Sequence, residues 1–164
     1  MAHDILIVDD EADIRMLIAG ILEDEGMKTR QAGDADQAIA AVGARRPSLV
    51  ILDIWLQGSR LDGIQILAEL KREHPNLPVI MISGHGTIET AVSAIKQGAY
   101  DFIEKPFKAD RLLVLVERAI EAARLRRENE ELKLRTGGQI ELIGKSFTLE
   151  ELAAKMRAVL DDQG

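Results

Sequence analysis

The chain has 164 residues, 46% of them hydrophobic and 30% charged, with a net charge of −7 and no cysteine. This length accommodates one domain and an appendage rather than two full domains, and no apolar run approaches the roughly 20 residues of a membrane span. The missing cysteines exclude a disulfide framework and fit a cytoplasmic protein, while the acidic charge argues against direct nucleic-acid binding, which needs clustered Lys and Arg.

Apolar residues alternate along the chain between strand-like and helix-like spacing. Ile5–Val8 is the first candidate strand, and the helix predicted from Ala12 to about Asp24 places four apolar residues on one face: Ile14, Leu17, Ile18 and Ile21. The later strand candidates are Met27–Ala32, Leu49–Leu52, Val79–Ile82 and Asp101–Ile103. The later helix candidates are a helix capped by Asp34, Gly63–Arg72, Thr87–Gln97 and a long helix from Ala109. Five successive strand–helix units predict an α/β fold with a doubly wound parallel sheet.

Polar side chains follow four of the predicted strands. Asp9 and Asp10 follow the first strand, Asp53 the third, Ser83 the fourth and Lys105 the fifth. Ligands of such sheets bind outside the carboxyl ends of the strands, near the point where the strand order reverses. We therefore expect three carboxylates, a hydroxyl and an ammonium group to converge on one edge of the sheet.

Each of these side chains also has an ordinary explanation. An Asp before a helix often serves only as its cap, a lysine before a proline is commonly a solvated charge, and a serine before a glycine often begins a turn. The combination is more specific than its members, because all of them lie at one edge and their charges are complementary.

Crowded carboxylates are tolerated when a cation neutralises them, and oxygen ligands without Cys or clustered His suit a hard ion. Mg²⁺ typically takes one or two carboxylates and leaves room for phosphate oxygens. A lysine and a small hydroxyl are suited to contact a phosphoryl group beside that ion. The residues thus predict phosphoryl transfer in which an aspartate is the nucleophile.

Four segments, ILIVDDE, LVILDIW, IMISGHG and DFIEKPF, together resemble the receiver domain of bacterial two-component response regulators. The resemblance covers residues 3 to about 122. It implies a five-stranded, CheY-like sheet in the order 2-1-3-4-5, Mg²⁺ as cofactor and a sensor histidine kinase as partner. It also implies a signalling switch rather than an enzyme.

The resemblance assigns the metal and acceptor residues by position. Asp53 is the phosphoacceptor, which receives the phosphoryl group from a phosphohistidine of the kinase. Asp9 and Asp10 are expected to hold Mg²⁺ together with Asp53 and the backbone carbonyl of Trp55.

The resemblance also assigns phosphoryl-binding and switch residues. Lys105, the Ser83 hydroxyl and the backbone of Gly84 are expected to contact the phosphoryl oxygens. Phe102 is the aromatic residue expected to change rotamer together with Ser83. The Lys105–Pro106 peptide is expected to be cis, which X-Pro bonds permit.

One segment departs from the common receiver pattern. Many receivers have a proline four residues after the acceptor and a shorter loop before the Asp-Gly pair, whereas this chain has Gln57 and then GSRLDG. The longer loop, with Trp55 and Arg60 beside the predicted site, resembles the NtrX branch of the NtrC family of transcription activators.

The last third of the chain continues the helical pattern. We expect a receiver domain at residues 1–122 and a helical linker at 123–136. Ala122, Leu125, Asn129 and Leu132 have the spacing of a short coiled-coil seam. A homodimer is expected through this linker and the face made by the fourth helix, fifth strand and fifth helix. Residues 137–164 resemble either the start of an ATPase domain or a repeat of the receiver terminus.

Two other functions stay open at this point. A haloacid-dehalogenase-like phosphatase also uses a strand-end Asp with Mg²⁺, but it needs a second Asp two residues later, where this chain has Trp55. The other alternative is a receiver fold that serves only as a dimerisation scaffold and is not phosphorylated.

Overall fold

The centre of the fold is a five-stranded parallel sheet. The computed structural model describes residues 3–84 and 88–143 of the chain. The strands are β1 (Asp4–Val8), β2 (Lys28–Ala32), β3 (Leu49–Asp53), β4 (Val79–Ser83) and β5 (Asp101–Glu104). They are hydrogen-bonded in the order β2-β1-β3-β4-β5, and all neighbouring pairs are parallel. This arrangement confirms the doubly wound fold and the strand order expected from the sequence.

Helices follow the strands in strict alternation. They are α1 (Ala12–Glu23), α2 (Ala35–Ala44), α3 (Gly63–Glu73), α4 (Ile88–Lys96) and α5 (Ala109–Ile143). Most boundaries lie within one or two residues of the predicted ones, which is the usual uncertainty of helix ends. No helix within residues 3–84 and 88–143 is both long and apolar enough to cross a membrane.

The chain forms two compact units, residues 1–124 and 125–164. The long helix α5 covers the predicted linker and extends beyond its expected end to Ile143. The division into a linker (123–136) and a C-terminal segment (137–164) stays a prediction, because residues 144–164 lie outside the described part of the chain.

Both faces of the sheet are covered by apolar side chains. Successive residues of a strand point to opposite faces, so β1 contributes Leu6 and Val8 to one hydrophobic cluster and Ile5 and Ile7 to another. The first cluster contains buried residues of α2, α3 and α4, and the second contains buried residues of α1 and α5. Burial of each large apolar side chain contributes about 1.5–3 kcal/mol. The strands β1, β3 and β4 are therefore apolar on both sides, because helices cover both faces of the sheet.

The predicted buried face of α1 is wrong at one position. Ile18 and Leu22 are fully buried, but Leu17 is 53% exposed. The buried stripe also includes Ala19, so it is rotated away from Leu17, which is turned about 100° from Ile18. Hydrophobicity alone did not identify which apolar residues of this helix contact the sheet.

Gly63, the first residue of α3, packs directly against the end of β3. Its backbone N–H donates to the Ile54 carbonyl at 2.8 Å. A Cβ atom at this position would lie only 2.1 Å from the Asp53 carbonyl oxygen. The helix itself begins with a capping box, in which Asp62 and Gln65 each bond the other's backbone N–H. Glycine therefore allows α3 to start immediately beside the backbone of Asp53.

Replacement of Gly63 by alanine should therefore destabilise the fold. We expect Gly63→Ala to lower the free energy of unfolding by at least about 2 kcal/mol, because the new methyl group overlaps backbone atoms that cannot move freely. Urea unfolding followed by circular dichroism measures the change. Gly20→Ala is the matched control, because an added Cβ meets nothing within 4 Å there, and it should stabilise α1 by about 0.5–1 kcal/mol. A Gly63→Ala protein as stable as the unaltered chain would contradict the close approach.

Candidate functional site

The carboxyl ends of four strands bring the predicted polar residues together. Asp9 and Asp10 directly follow β1, Asp53 ends β3, Ser83 ends β4 and Lys105 directly follows β5. β1 lies next to β3, with β2 on its other side, so the order of the strands reverses at β1. The first aspartates therefore lie at the position where doubly wound sheets bind their ligands.

Lys105 joins two of the carboxylates. Its Nζ atom lies 2.9 Å from Asp9 Oδ2 and 3.2 Å from Asp53 Oδ2. The backbone N–H of Lys105 donates to the Ser83 carbonyl at 2.8 Å, and its aliphatic chain passes close to Gly84. The Lys105–Pro106 peptide is cis, as expected. The side chain thus reaches from β5 across the end of β4 to the carboxylate of β3.

Asp9 is fully buried and uses its two carboxylate oxygens differently. Oδ1 accepts the backbone N–H of Glu11 at 2.8 Å, and Glu11 is the N-cap residue of α1. This half of the carboxylate performs the local turn-forming role that a lone Asp before a helix often has. Oδ2 is also buried, and it faces the Lys105 ammonium as an ion pair at 2.9 Å. The second oxygen is therefore the one that contacts a cation.

The three carboxylates form a cluster that fits a divalent ion. One oxygen each of Asp9, Asp10 and Asp53 lies within 4.8 Å of the other two; we call these residues the carboxylate cluster. All the donors are hard oxygen atoms, which suit Mg²⁺ better than transition metals. One ammonium group does not balance three carboxylates, so a divalent ion would lower the remaining repulsion between them. The residues present therefore fit the cofactor that the sequence predicts.

Burial and crowding change the protonation of the site. Burial, and then the nearby charge of Asp9, raise the pKa of Asp53 to about 6, although Lys105 acts in the opposite direction. Burial alone would lower the pKa of Lys105, but the carboxylates of Asp9 and Asp53 outweigh it and raise that pKa. Lys105 therefore stays cationic at neutral pH, and Asp53 is ionised but only at a cost.

An open cavity of about 230 Å³ lies above the cluster. It is lined by Asp10, Glu11, Asp53, Trp55, Gln57, Gly84 and Lys105. Trp55 is 54% exposed at its rim, and its backbone N–H faces Asp53 Oδ1 at 3.4 Å. The Asp53 carboxylate therefore faces a polar opening.

Ser83 and Phe102 lie on the neighbouring strands β4 and β5. Ser83 is 2% exposed at the end of β4. Phe102 lies on β5, where it is partly buried and packs against the cluster that contains α2, α3 and α4. The structure therefore places the predicted switch residues on adjacent strands. Their movement stays a prediction.

Sequence reasoning missed three contacts of the site. Arg15 of α1 donates to the Asp9 carbonyl at 2.6 Å, Gln57 donates its backbone N–H to Asp10 Oδ2 at 3.2 Å, and Gly63 lies against the Asp53 backbone. The unusual loop after Asp53 was the only signal for the second contact. The other two depend on how α1 and α3 pack, which no local pattern reveals.

Known proteins are similar to this chain in sequence. Residues 5–117 match the model of the response regulator receiver domain. The chain is 64% identical to the nitrogen assimilation regulatory protein NtrX of Azorhizobium caulinodans over 97% of its own length, but over only 35% of that protein. It thus spans about a third of the length of the curated relatives it matches.

Solved structures agree with this match. The receiver domain of NtrX from Brucella abortus is 71% identical, with a TM-score of 0.71 over 72% of this chain and 98% of that one. The beryllofluoride-activated NtrC4 receiver domain dimer is 37% identical, with a TM-score of 0.69 over 73% of this chain and 98% of that one.

The raised pKa of Asp53 predicts a pH-dependent stability. The folded state binds more protons than the unfolded state between the unfolded pKa near 4 and the folded value of about 6. Stability from this group is therefore lost as pH rises through that window. In EDTA, we expect Asp53→Asn to be about 1–3 kcal/mol more stable than the unaltered chain at pH 7.5, with the difference vanishing near pH 4.

Urea unfolding of both proteins at the two pH values measures this difference. The comparison of variants cancels the other titrating groups, which both proteins share. Equal unfolding midpoints at pH 7.5 would show that the Asp53 carboxylate is ionised in the folded protein without cost.

Proposed function

Because the chain belongs to the response regulator receiver domain family, we propose that it accepts a phosphoryl group on Asp53 from a phosphohistidine of a sensor histidine kinase. The observation that carries this proposal is the convergence of Asp53 with Asp9, Asp10 and Lys105 at one edge of the sheet. Each of these groups has a function in such a transfer.

Asp53 acts as the nucleophile. One of its carboxylate oxygens attacks phosphorus, so that an O–P bond forms while the P–N bond to the donor imidazole breaks and its electron pair returns to the ring nitrogen. The attacking group must be ionised, and with a pKa of about 6 most of Asp53 is carboxylate at neutral pH. The cavity beside Trp55 gives the donor access from outside.

Lys105 and the cofactor balance the charge of the transfer. When bound by Asp9, Asp10, Asp53 and the Trp55 carbonyl, Mg²⁺ would neutralise phosphoryl oxygens and lower the repulsion between the reactants. Lys105 already lies within 3.2 Å of an Asp53 oxygen, so its ammonium can pair with a phosphoryl oxygen attached there. The Ser83 hydroxyl and the Gly84 backbone are proposed to bond the remaining oxygens.

Phosphorylation is proposed to bias a dimer. The added group carries a charge of about −1.5 to −2, so Ser83 must rearrange toward it and Phe102 moves with it into the space beside α4. Exposed apolar residues mark the α4–β5–α5 face, namely Val92, Ile95, Tyr100 and Val114. The similar NtrC4 receiver forms a dimer in its beryllofluoride-activated state, which supports dimerisation of the phosphorylated chain. We propose that this face and the linker part of α5 form the dimer contact.

In a longer parent protein, this switch would regulate transcription. The similar proteins include a nitrogen assimilation regulatory protein and a DNA-binding transcriptional regulator, and this chain spans only about a third of their length. We propose that the phosphorylated dimer controls nitrogen-related transcription through domains beyond this chain. The chain is thus a signalling module rather than an enzyme that turns over a substrate.

Replacement of the acceptor tests the site. Asp53→Asn should abolish the mass increment of one phosphoryl group after incubation with acetyl phosphate and Mg²⁺, because the amide is not a nucleophile here. Asp110→Asn, which changes an exposed aspartate on α5, is the control and should be labelled as in the unaltered chain. Undiminished labelling of Asp53→Asn would reject Asp53 as the acceptor, and an unlabelled wild-type chain would favour the dimerisation scaffold.

Replacement of Lys105 separates phosphorylation from the change in oligomeric state. We expect Lys105→Ala to accept the phosphoryl group but to lose the change in oligomeric state, because the phosphoryl oxygen then lacks its cation. Intact-mass measurement and light scattering on the same sample report the two effects. A Lys105→Ala protein that is labelled and dimerises normally would contradict the coupling. Turnover of p-nitrophenyl phosphate by the unaltered chain would instead support the phosphatase alternative.

A further inference from the structure

The segment between β3 and α3 is fixed in place by contacts that the proposed phosphotransfer does not use. This β3–α3 loop comprises residues 54–62. Leu56 anchors its start in the core, with 7% of its surface exposed, and Asp62 fixes its end as the cap of α3. Between these two points Gly58 turns the backbone with a φ of +73°, which glycine adopts without strain.

Ser59 attaches the middle of this loop to α2. Its Oγ accepts the backbone N–H of Ala35 at 2.9 Å, and Ala35 is the first residue of α2 and is fully buried. The N-cap Asp34 bonds Gln37 instead, so Ser59 supplies the acceptor for the Ala35 amide. A buried amide without an acceptor costs about 1–3 kcal/mol, which gives this contact its strength.

A second contact joins the loop to α2 but contributes little to stability. Arg60 donates from Nε and from its terminal nitrogen to Asp36 Oδ1 at 3.2 and 3.0 Å. Both side chains are more than half exposed, and exposed ion pairs contribute about 0–1 kcal/mol. Ser59 is therefore the main attachment of the loop to α2.

The loop fixed in this way contacts the carboxylate cluster. The Ser59 N–H donates to the Leu56 carbonyl at 3.3 Å, which closes a tight turn around Gln57. The N–H of Gln57 donates to Asp10 Oδ2 at 3.2 Å. Asp10 is the most exposed residue of the carboxylate cluster, so burial restricts its side-chain rotation less than it restricts the other two. The Gln57 N–H therefore supplies the main restriction on the Asp10 carboxylate.

We propose that Ser59 is a positioning residue for divalent-cation binding, because it holds the loop so that the Gln57 amide orients the Asp10 carboxylate. This inference rests on the proposed Mg²⁺ site and adds to it a contact with α2. The Ser59 hydroxyl touches neither the ion nor the phosphoryl group, and acts through the backbone between residues 56 and 59. Hydrogen bonds to metal-ligating carboxylates typically change metal affinity 10–100-fold.

Mg²⁺ titration of three serine variants tests the proposal. Trp55 is the single tryptophan and lies at the cavity rim, so its fluorescence emission reports Mg²⁺ binding. We expect Ser59→Ala to bind Mg²⁺ about three- to tenfold more weakly than the unaltered chain, below the range for a direct partner of a ligand. Ser59→Thr retains the hydroxyl and should bind as the unaltered chain does.

Ser48→Ala is the matched control. Ser48 Oγ also accepts a distant backbone N–H, that of Asp4 at 3.3 Å, but at the opposite, amino end of the strands. Ser48→Ala should lower the free energy of unfolding without changing the affinity for Mg²⁺.

A spectroscopic measurement without metal separates positioning from a general loss of stability. In the metal-free protein, the amide proton resonance of Gln57 should shift in Ser59→Ala but not in Ser48→Ala, because only the first variant releases the loop. Should Ser59→Ala fail to fold, Ser59→Cys, with its weaker acceptor, replaces it in both measurements.

The outcomes distinguish this proposal from the proposed function. Equal Mg²⁺ affinity of Ser59→Ala and the unaltered chain would overturn the role of Ser59 and leave the cation site intact. An equal loss in Ser59→Ala and Ser48→Ala would overturn it as well, since it would reflect stability alone. An unaltered chain that binds no Mg²⁺ would overturn the cation site and this inference together.

Discussion

The electrostatic balance between three carboxylates and one ammonium group determines the properties of this protein. Asp9 and Asp53 are almost completely excluded from water, and two such charges would repel each other strongly without a cation. Lys105 contacts both, yet the pKa of Asp53 still rises to about 6. The single ammonium therefore compensates the carboxylate cluster only in part, and the remaining repulsion favours the binding of a divalent ion.

The sequence predicted the sheet well because its strands are defined by local composition. Ile5–Val8 and Leu49–Leu52 are apolar on both sides, and only a strand between two helical layers buries both faces of so short a segment. The convergence of Asp9, Asp53 and Lys105 was predictable for the same reason, since parallel strands bring their carboxyl ends to one edge.

Features that depend on packing were not predictable in this way. Leu17 and Ile18 are similar in hydrophobicity, and the rotation of α1 against the sheet determines which of them is buried. The contact of Ser59 with Ala35 joins residues far apart in the sequence, and neither has an unusual composition. Asp62 and Gly63 are typical of an ordinary helix start. The sequence therefore does not reveal that the Asp53 backbone leaves no room for a side chain at residue 63.

The sequence separation of the site residues has a consequence for how the protein is made. Asp53 and Lys105 are 52 positions apart, and β5 is the last strand of the sheet to be synthesised. Long-range pairing of parallel strands is slow compared with local helix formation. A nascent chain that ends before residue 105 therefore has all three acidic groups but lacks their counter-charge, so the complete sheet and a compensated site can form only once the last strand has left the ribosome.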